Sequence, residues 1–181
     1  MIQARGLRHY LRCGGVIAYP TESCFGLGCD PQSRLGVQRV LRIKGRPQRK
    51  GLILIASQLA QLKPFIAPLT PAQAGRMQST WPGPHTWLVP AAADCPATLT
   101  GRHATIAVRV TAHAGSARLC RDTNMALVST SANRSGARAA RTARECHRLF
   151  GSEVRVINGR IGKRRRPSTI QDLSSGRVLR A

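Results

Sequence analysis

Residues 43–56 read Ile43-Lys44-Gly45-Arg46-Pro47-Gln48-Arg49-Lys50-Gly51-Leu52-Ile53-Leu54-Ile55-Ala56 and join a helical pattern to a short apolar run. Four cations fall within seven residues of this stretch, and no carboxylate occurs between Pro31 and Ala93 to compensate them. Such a cluster needs an anionic partner to relieve its self-repulsion. Because it lies on the connection between two packed elements, where binding sites are commonly built, the segment predicts a phosphate-binding site.

Strand and helix patterns alternate on both sides of this segment. Residues 34–44 carry apolar side chains at helical spacing, and the run Leu52–Ala56 predicts a buried strand. Turns are predicted at Gly26, Gly28 and Asp30-Pro31 and at the hairpin-like 174–176. Further helices are predicted at residues 3–13, 57–65 (with Ser57 as N-cap), 71–77 and 142–150. Further strands are predicted at residues 15–19, 86–90, 105–110, 126–129, 154–157 and 168–173. This order predicts an α/β fold, an open twisted mixed sheet in a single domain spanning residues 1–181.

The charge of the chain agrees with a polyanionic partner. Lys and Arg number 29 against 7 Asp and Glu, giving a formal charge of +22 and a pI near 11.8. Hydrophobic residues make up 42% and are spread along the chain, which argues against a disordered basic tail. No apolar run approaches the roughly 18 residues that span a bilayer, and no signal peptide is evident. We therefore expect a cytoplasmic protein without a membrane contact.

Six cysteines are scattered without a Cys-x-x-Cys pair, and the closest spacing, Cys24 to Cys29, does not match a zinc knuckle. We expect reduced and mostly buried thiols, which behave as small hydrophobes. A catalytic cysteine has no support in the sequence beyond its existence. No metal site is predicted from the side chains.

Four other segments suggest chemistry, each with a structural alternative. Thr21 follows a strand and Pro20, but its hydroxyl could simply cap a turn. Two tryptophans surround the rigid turn in residues 81–87, which is also what a core corner requires. Residues 129–136 (Ser-Thr-Ser-Ala-Asn-Arg-Ser-Gly) pack hydroxyls, an amide and a glycine directly after a strand, a composition that suits phosphate or carboxylate oxygens. The basic run Lys163–Arg166 could be a solvated loop.

Seven ordered blocks of this sequence closely resemble the YrdC/TsaC family of threonylcarbamoyl-AMP synthases, and the resemblance extends from about Gly15 to Leu179. The blocks are Tyr19-Pro20-Thr21-Glu22, Phe25-Gly26-Leu27-Gly28-Cys29-Asp30-Pro31, Lys44-Gly45-Arg46-Pro47 with Lys50-Gly51-Leu52-Ile53, Trp81-Pro82-Gly83-Pro84-His85-Thr86, Val108-Arg109-Val110, Ser129-Thr130-Ser131-Ala132-Asn133 and Pro167-Ser168-Thr169-Ile170. The chain is similar to the short bacterial form of the family.

The resemblance implies a reaction that joins L-threonine, bicarbonate and ATP into L-threonylcarbamoyladenylate and pyrophosphate, for the N6-threonylcarbamoyladenosine modification at tRNA position 37. It implies a concave electropositive cavity in which Lys44, Arg46, Ser131 and Asn133 are catalytic. These four residues, with Lys50, Thr86 and Ser129, are expected to bind ATP. Threonine is expected to contact Thr21, Arg109 and Ser168, where a guanidinium suits a carboxylate. Because carboxylates are scarce, Mg²⁺ is expected to arrive on ATP.

Two departures from the family pattern bear on partners. Ala137-Arg138-Ala139-Ala140-Arg141 replaces a Ser- or Pro-rich segment, so that Ala139 can contact a ligand only through its backbone. The loop Lys163–Arg166 is unusually basic and either covers the nucleotide or contacts tRNA or another RNA. Proteins of the threonylcarbamoyl-transfer step are further expected partners. A non-catalytic RNA-binding protein is the main alternative, although aromatics are only 4% and stacking platforms are therefore few.

Overall fold

One mixed sheet organises the chain in a computed structural model, which describes the backbone of residues 2–181 and the side chains of residues 5–181. Its strand order is β7-β1-β2-β6-β3-β5-β4-β8-β9. The pairs β7–β1, β3–β5 and β4–β8 are parallel, and the other neighbours are antiparallel. The nine strands of this described part are β1 Ile17–Pro20, β2 Phe25–Gly28, β3 Ile53–Ala56, β4 His85–Pro90, β5 Thr105–Val110, β6 Leu127–Ser131, β7 Arg155–Val156, β8 Thr169–Asp172 and β9 Val178–Arg180.

The α-helices connect the strands, and several carry clear end signals. Ser33 caps the N-terminus of α2 by accepting a hydrogen bond from the Gly36 amide, and Thr70 forms a capping box with Gln73 at α3. The helices are α1 Ile2–Arg12, α2 Arg34–Lys44, α3 Pro71–Gln78, α4 Ala97–Thr100, α5 Ala114–Thr123 and α6 Ala143–Phe150. No helix among residues 2–181 has the length and apolarity needed to cross a bilayer.

The two faces of the sheet have different surroundings because successive residues of a strand point to opposite sides. On the first face, the larger core includes Ala18, Leu54 and Val128 together with side chains of α2 and α6. On the second face, a smaller core joins Ile17, Tyr19, Ile55 and Leu127 to Leu11 of α1 and to Leu119 and Cys120 of α5. Further along this second face the strands line an open cavity instead.

The turn predicted at Gly26 and Gly28 is wrong, because both residues lie in strand β2. At Gly28, glycine is required by close packing and not by a turn. A Cβ atom at Gly28 would lie 2.4 Å from the carbonyl oxygen of Val128 and 2.7 Å from the ring of Tyr19. The absence of a side chain therefore lets β2 pair closely between β1 and β6.

The helix predicted at residues 57–65 is also wrong. Two 3₁₀ turns, Leu59–Gln61 and Lys63–Phe65, replace it, since Pro64 cannot donate the hydrogen bond that a continuous helix needs. Ser57 is not an N-cap; instead its backbone amide donates to Oε1 of Gln61 (2.9 Å). Helix α5 was not predicted, because Gly115 and Ser116 weaken its pattern and its N-cap is His113, an unusual capping residue.

Other predicted elements are confirmed within two residues of their ends, including α2, α3, α6 and β8, and Gly176 at φ +73° lies in the turn predicted after β8. Strand β9, which follows that turn, was not predicted. The core-corner interpretation of the tryptophans is confirmed: Trp87 is buried and Trp81 packs against the core. All six cysteines are free thiols. Three of them are buried (Cys29, Cys120 and Cys146), two are partly exposed and Cys13 is exposed, so the prediction of buried thiols is confirmed for only half of them.

Candidate active site

A cavity of about 740 Å³ opens on the second face of the sheet, where β2, β6, β3 and β5 run side by side. It brings together nine of the ten residues for which the sequence predicted a binding or catalytic role. The exception is Thr86, which is fully buried behind the wall and donates a hydrogen bond to the Ser168 hydroxyl (2.9 Å). The nine are Thr21, Lys44, Arg46, Lys50, Arg109, Ser129, Ser131, Asn133 and Ser168.

Lys44 reaches the cavity because it is the last residue of α2. The helix ends there as Gly45 adopts a left-handed conformation (φ +61°) that a side chain would resist. Lys44 is 4% exposed, and its ammonium donates to four oxygens of one segment. These are the backbone oxygens of Ser131 (2.7 Å) and Asn133 (3.2 Å), the Ser131 hydroxyl (3.1 Å) and Asn133 Oδ1 (2.8 Å). Lys44 thus holds the end of β6 in place.

The loop after β6 is built on Asn133. Its amide nitrogen donates to the backbone oxygens of Arg134 (2.9 Å) and Ala137 (2.6 Å), and the Ser135 amide donates to the carbonyl of Lys44 (2.8 Å). The side chain of Asn133 is therefore engaged in shaping the loop. The hydroxyl of Ser131 accepts from Lys44, which leaves its own proton for a ligand.

After α2, the basic cluster contributes Arg46 and Lys50 to the cavity lining, whereas Arg49 does not line it. Arg46 donates from Nε to the backbone oxygen of Gly51 (3.0 Å) and from Nη2 to that of Lys50 (3.3 Å), and burial lowers its pKa. Its second terminal nitrogen, Nη1, makes no such bond within the described residues. The Lys50 side chain is exposed at the rim. Gly51 and Gly101 let this turn pack against α4, since a Cβ at Gly51 would lie 2.8 Å from the Thr100 oxygen.

A second group of polar side chains lies at the ends of β1 and β5. The Thr21 hydroxyl donates to the backbone oxygen of Cys24 (2.7 Å), so it caps its own turn while it lines the cavity. Arg109 is 7% exposed and forms an ion pair with Glu22, with 3.3 Å between Nη2 and Oε2. Ser129 of β6 lies on the same face, because the β3–β6 register pairs it with Ile53.

Arg180 is a cavity residue that the sequence did not identify. It donates from Nε to the backbone oxygen of Ser168 (2.9 Å) and from Nη2 to its hydroxyl (3.0 Å). Partial desolvation and then the nearby charge of Arg109 lower the pKa of Arg180. The spacing of Val178 and Arg180, two positions apart after the predicted hairpin turn, was the only sequence feature that could have indicated a strand carrying Arg180.

The basic loop Lys163–Arg166 runs beside the cavity, but its residues do not line it. The first lining residue after this loop is Pro167. Its backbone is tied to the end of β1: the Gly162 amide donates to Thr21 (2.9 Å) and the Arg164 amide to Glu22 (3.1 Å). These bonds place the loop at the rim.

The lining suits anions strongly. Lys44, Arg46, Lys50, Arg109 and Arg180 contribute positive charge, and among the described residues no carboxylate side chain lines the cavity. The described residues also contain no group of three or more His, Cys, Asp or Glu side chains that could hold a metal ion. A ligand carrying both a polyphosphate and a carboxylate would find partners at both ends of the cavity.

Known proteins resemble this chain over nearly its whole length. A family model described as telomere recombination, that of the Sua5, YciO and YrdC proteins, matches residues 9–181. The threonylcarbamoyl-AMP synthase of Methylobacillus flagellatus is 63% identical over 99% of both chains, and that of Thiobacillus denitrificans is 57% identical over 97% of this chain and 94% of the relative.

Solved structures of related proteins share the fold of this chain. Pyrococcus abyssi Sua5, solved in complex with L-threonine, superposes with a TM-score of 0.88 at 28% identity. The match covers 97% of this chain and 52% of Sua5, so the chain spans about half of that protein. Escherichia coli YciO shares the fold, with a TM-score of 0.84 at 24% identity over 98% of this chain and 88% of YciO.

Proposed function

The chain belongs to the Sua5/YciO/YrdC family, and on that premise we propose that it is an L-threonylcarbamoyladenylate synthase. The observation that carries the proposal is one cavity with an oriented cationic end beside the buried Arg109, which has unused donors. The chain that forms this cavity matches a threonylcarbamoyl-AMP synthase over 99% of its length. The product serves the N6-threonylcarbamoyladenosine modification of tRNA at position 37.

The chemistry requires positioning and charge neutralisation more than a protein nucleophile. The neutral amine of threonine and bicarbonate give a carbamate and water. A carbamate oxygen then attacks the α-phosphorus of ATP, the bond to the bridging oxygen breaks, and pyrophosphate leaves. Attack of an anion on a polyanion is favoured by oriented donors and by in-line geometry.

The phosphates are assigned to the end of the cavity formed by α2 and β6. Arg46 keeps free N–H donors on its outer side, and Ser131 keeps its hydroxyl proton. Lys44 contributes its charge and holds the Ser131–Asn133 segment in shape, so we assign it to catalysis through both effects. Lys50 attracts the triphosphate from the rim, and Ser129 lines the path between the two ends.

Threonine is assigned to the end formed by β1 and β5. Arg109 would bind its carboxylate, with Thr21 and Ser168 beside it. Thr86 would act indirectly, because its hydroxyl orients Ser168. Arg180 also holds Ser168 and adds a positive charge between the two substrates.

Mg²⁺ is proposed to enter as part of the nucleotide substrate. The cavity wall offers hydroxyls and carbonyl oxygens but, within the described residues, no carboxylate side chain, and Mg²⁺ sites in proteins commonly use one or two carboxylates. The residues present therefore do not fit a protein-held Mg²⁺, and the phosphate oxygens would hold it.

The function is tested by incubating the purified protein with labelled ATP, L-threonine and bicarbonate. We expect pyrophosphate release that depends on both threonine and bicarbonate, together with a labelled threonylcarbamoyladenylate. Release without threonine would instead indicate a nucleotide hydrolase. RNA binding without any pyrophosphate release would favour the non-catalytic alternative.

The pH dependence should report on Lys44. Burial and then the charge of Arg46 lower its pKa to about 8, whereas the four surrounding oxygens favour the ammonium, which shares three N–H groups among them. We expect kcat to fall as the pH rises through about 8, because the neutral amine lacks the positive charge and keeps only two N–H groups for these oxygens. A pH profile of kcat at saturating substrates measures this effect.

Unfolding measurements over the same range separate loss of activity from loss of structure. The folded pKa lies below the usual 10.5, so the unfolded state binds more protons between about pH 8 and 10.5. The contribution of Lys44 to the free energy of unfolding should therefore rise with pH while kcat falls. An unchanged kcat through about pH 9 would contradict a required ammonium.

The loop Lys163–Arg166 is proposed to contact tRNA, because its side chains lie at the rim and not in the lining. Replacing Arg164, Arg165 and Arg166 with Gln should flatten the salt dependence of tRNA binding, as each lost phosphate contact removes about 0.7–0.9 from the log–log slope. A control removes the same charge at Arg42, Arg118 and Arg121. If the salt dependence of tRNA binding has the same slope in both variants, the loop does not contact tRNA and is either solvated or covers the nucleotide. A cytoplasmic location and contact with proteins of the transfer step are part of the same proposal.

A further inference from the structure

Glu22 is a partly buried acid beside a cavity whose charged lining residues are cations. Its side chain is 12% exposed and pairs with Arg109, which is 9% exposed in its side chain. The Glu22 carboxylate is fixed from the other side by the Thr111 hydroxyl, which donates to Oε1 (2.7 Å). Arg109 and Thr111 are two residues apart, so they point to the same side of the strand, and Glu22 bridges them.

Thr111 is itself held firmly. It is 2% exposed, its amide donates to the carbonyl of Ala56 (3.0 Å), and its hydroxyl accepts from the amide of His113 (3.2 Å). Because that hydroxyl accepts one bond and donates one, its orientation is set. The His113 amide fixes the Thr111 hydroxyl, Thr111 fixes the Glu22 carboxylate, and Glu22 pairs with Arg109. The position of the guanidinium is therefore set by the backbone through these contacts.

The pair leaves hydrogen-bonding capacity unused. Among the described residues Arg109 Nε has no hydrogen-bond partner, and Glu22 Oε2 has only the 3.3 Å ion-pair contact with Arg109 Nη2, although both atoms are buried. A buried ion pair contributes little to stability unless its donors and acceptors are satisfied. Arg109 Nε is too deeply buried for a ligand to reach, but Arg109 lines the cavity and, among the described residues, its terminal nitrogens have no acceptor other than Glu22. These terminal N–H groups are therefore the donors that a ligand in the cavity would complete.

The side chain of Glu22 can be examined apart from the fold around it. The contact of this residue with the segment 158–167 is made by its backbone oxygen, which accepts from the Arg164 amide (3.1 Å). A side-chain substitution leaves that bond in place. Only the bonds to Thr111 and Arg109 depend on the carboxylate.

We propose that Glu22 is the positioning residue of the amino-acid subsite, holding the Arg109 guanidinium so that its unused N–H groups meet the substrate carboxylate. The inference rests on the proposed assignment of threonine to Arg109. Glu22 itself need not touch the substrate. It acts by setting the rotamer of Arg109 before threonine arrives, which reduces the ordering that binding would otherwise require.

Glu22→Gln is the decisive variant, because it keeps the shape and removes the charge. If the Gln amide oxygen accepts from Thr111, its NH₂ faces Arg109 donor to donor and turns the guanidinium. We expect the KM for threonine to rise about tenfold, equivalent to the loss of one hydrogen bond to a charged group, with the KM for ATP within about twofold. Thr111→Val, which removes only the anchor, should raise the threonine KM in the same direction by about two- to fivefold.

Glu153→Gln is the matched control: it removes one negative charge from an exposed acid paired with Arg42 and should leave kcat and both KM values unchanged. Calorimetric titration of threonine into each variant without ATP provides a readout independent of turnover. Thermal unfolding of each variant excludes a folding defect as the cause. An unchanged threonine KM and binding constant in a folded Glu22→Gln protein would overturn the proposal, as would an equal rise in both KM values.

A double-mutant cycle with Arg109→Lys separates this inference from the proposed function. If Glu22 acts through the fork of Arg109, Glu22→Gln should add little to the threonine defect of Arg109→Lys. Full additivity would assign Glu22 an independent role and overturn the inference. If Arg109→Lys leaves threonine affinity unchanged, the assignment of threonine to Arg109 fails first.

Discussion

Replacing Lys44 with Ala is expected to lower kcat about 10²–10³-fold, the loss typical when an oriented donor to developing charge is removed. The structure adds a reason for a large effect. The ammonium joins α2 to four oxygens of the Ser131–Asn133 segment, so its loss removes a positive charge and releases the loop that presents the Ser131 hydroxyl. Threonine-dependent pyrophosphate release measures kcat, and nucleotide titration measures ATP affinity.

Lys50→Ala is the matched control in the same cluster. Lys50 is exposed at the rim, so its loss should weaken ATP binding modestly and leave kcat within about threefold, as expected for a solvent-screened charge. Arg46→Lys tests geometry at constant charge, because Lys lacks the planar fork. Near-normal turnover in both Lys44→Ala and Arg46→Ala would show that the phosphate site lies elsewhere and that the basic cluster faces RNA.

Replacing Arg109 with Ala is expected to raise the threonine requirement about 10²-fold while leaving ATP affinity nearly intact, because truncating one partner of a buried charge pair commonly costs about 2–5 kcal/mol. Here both Glu22 and the substrate carboxylate lose their partner. The KM for threonine and the KM for ATP, measured in the same assay, report the two effects separately.

The Arg109→Ala variant leaves Glu22 unpaired, a change that destabilises proteins by about 3–5 kcal/mol when the pair is buried. Arg109→Lys is therefore the control that distinguishes a binding defect from a folding defect. The Lys variant keeps a charge beside Glu22 but cannot bind a carboxylate bidentately, so a smaller defect confined to threonine is expected. A defect confined to ATP would reassign Arg109 to the nucleotide.

Local signals in the sequence were sufficient for most elements. Apolar spacing defined α2, and the apolar run after the basic cluster defined β3; the caps of α2 at Ser33 and Gly45 are local features of the same kind. These features were predictable because they depend on residues three or four positions apart, within the range of a helical turn or a cap. The resemblance to a known family, carried by seven ordered blocks, supplied the residues that line the cavity.

Other elements had no reliable local signal. Gly26 and Gly28 have the composition of a turn, but at Gly28 the ring of Tyr19 and the carbonyl of Val128 leave room only for glycine in a paired strand. Helix α5 contains Gly and Ser and starts at a histidine, and its position is decided by Leu119 and Cys120 packing against the sheet. In both places tertiary packing outweighed the local preference.

In the site, too, the residue types could be read from the sequence, whereas the contacts between them could not. The amino-acid sequence alone establishes that a cationic turn follows α2, that hydroxyls and an amide follow a strand, and that carboxylates are too scarce to neutralise the cluster. The three-dimensional arrangement is needed to show that Lys44 is held by residues 87 and 89 positions away, that Arg109 is paired with Glu22 and that Thr86 stands behind Ser168. Strand order and register bring these residues together, and both depend on how the whole sheet buries its two faces, a property that no short segment carries.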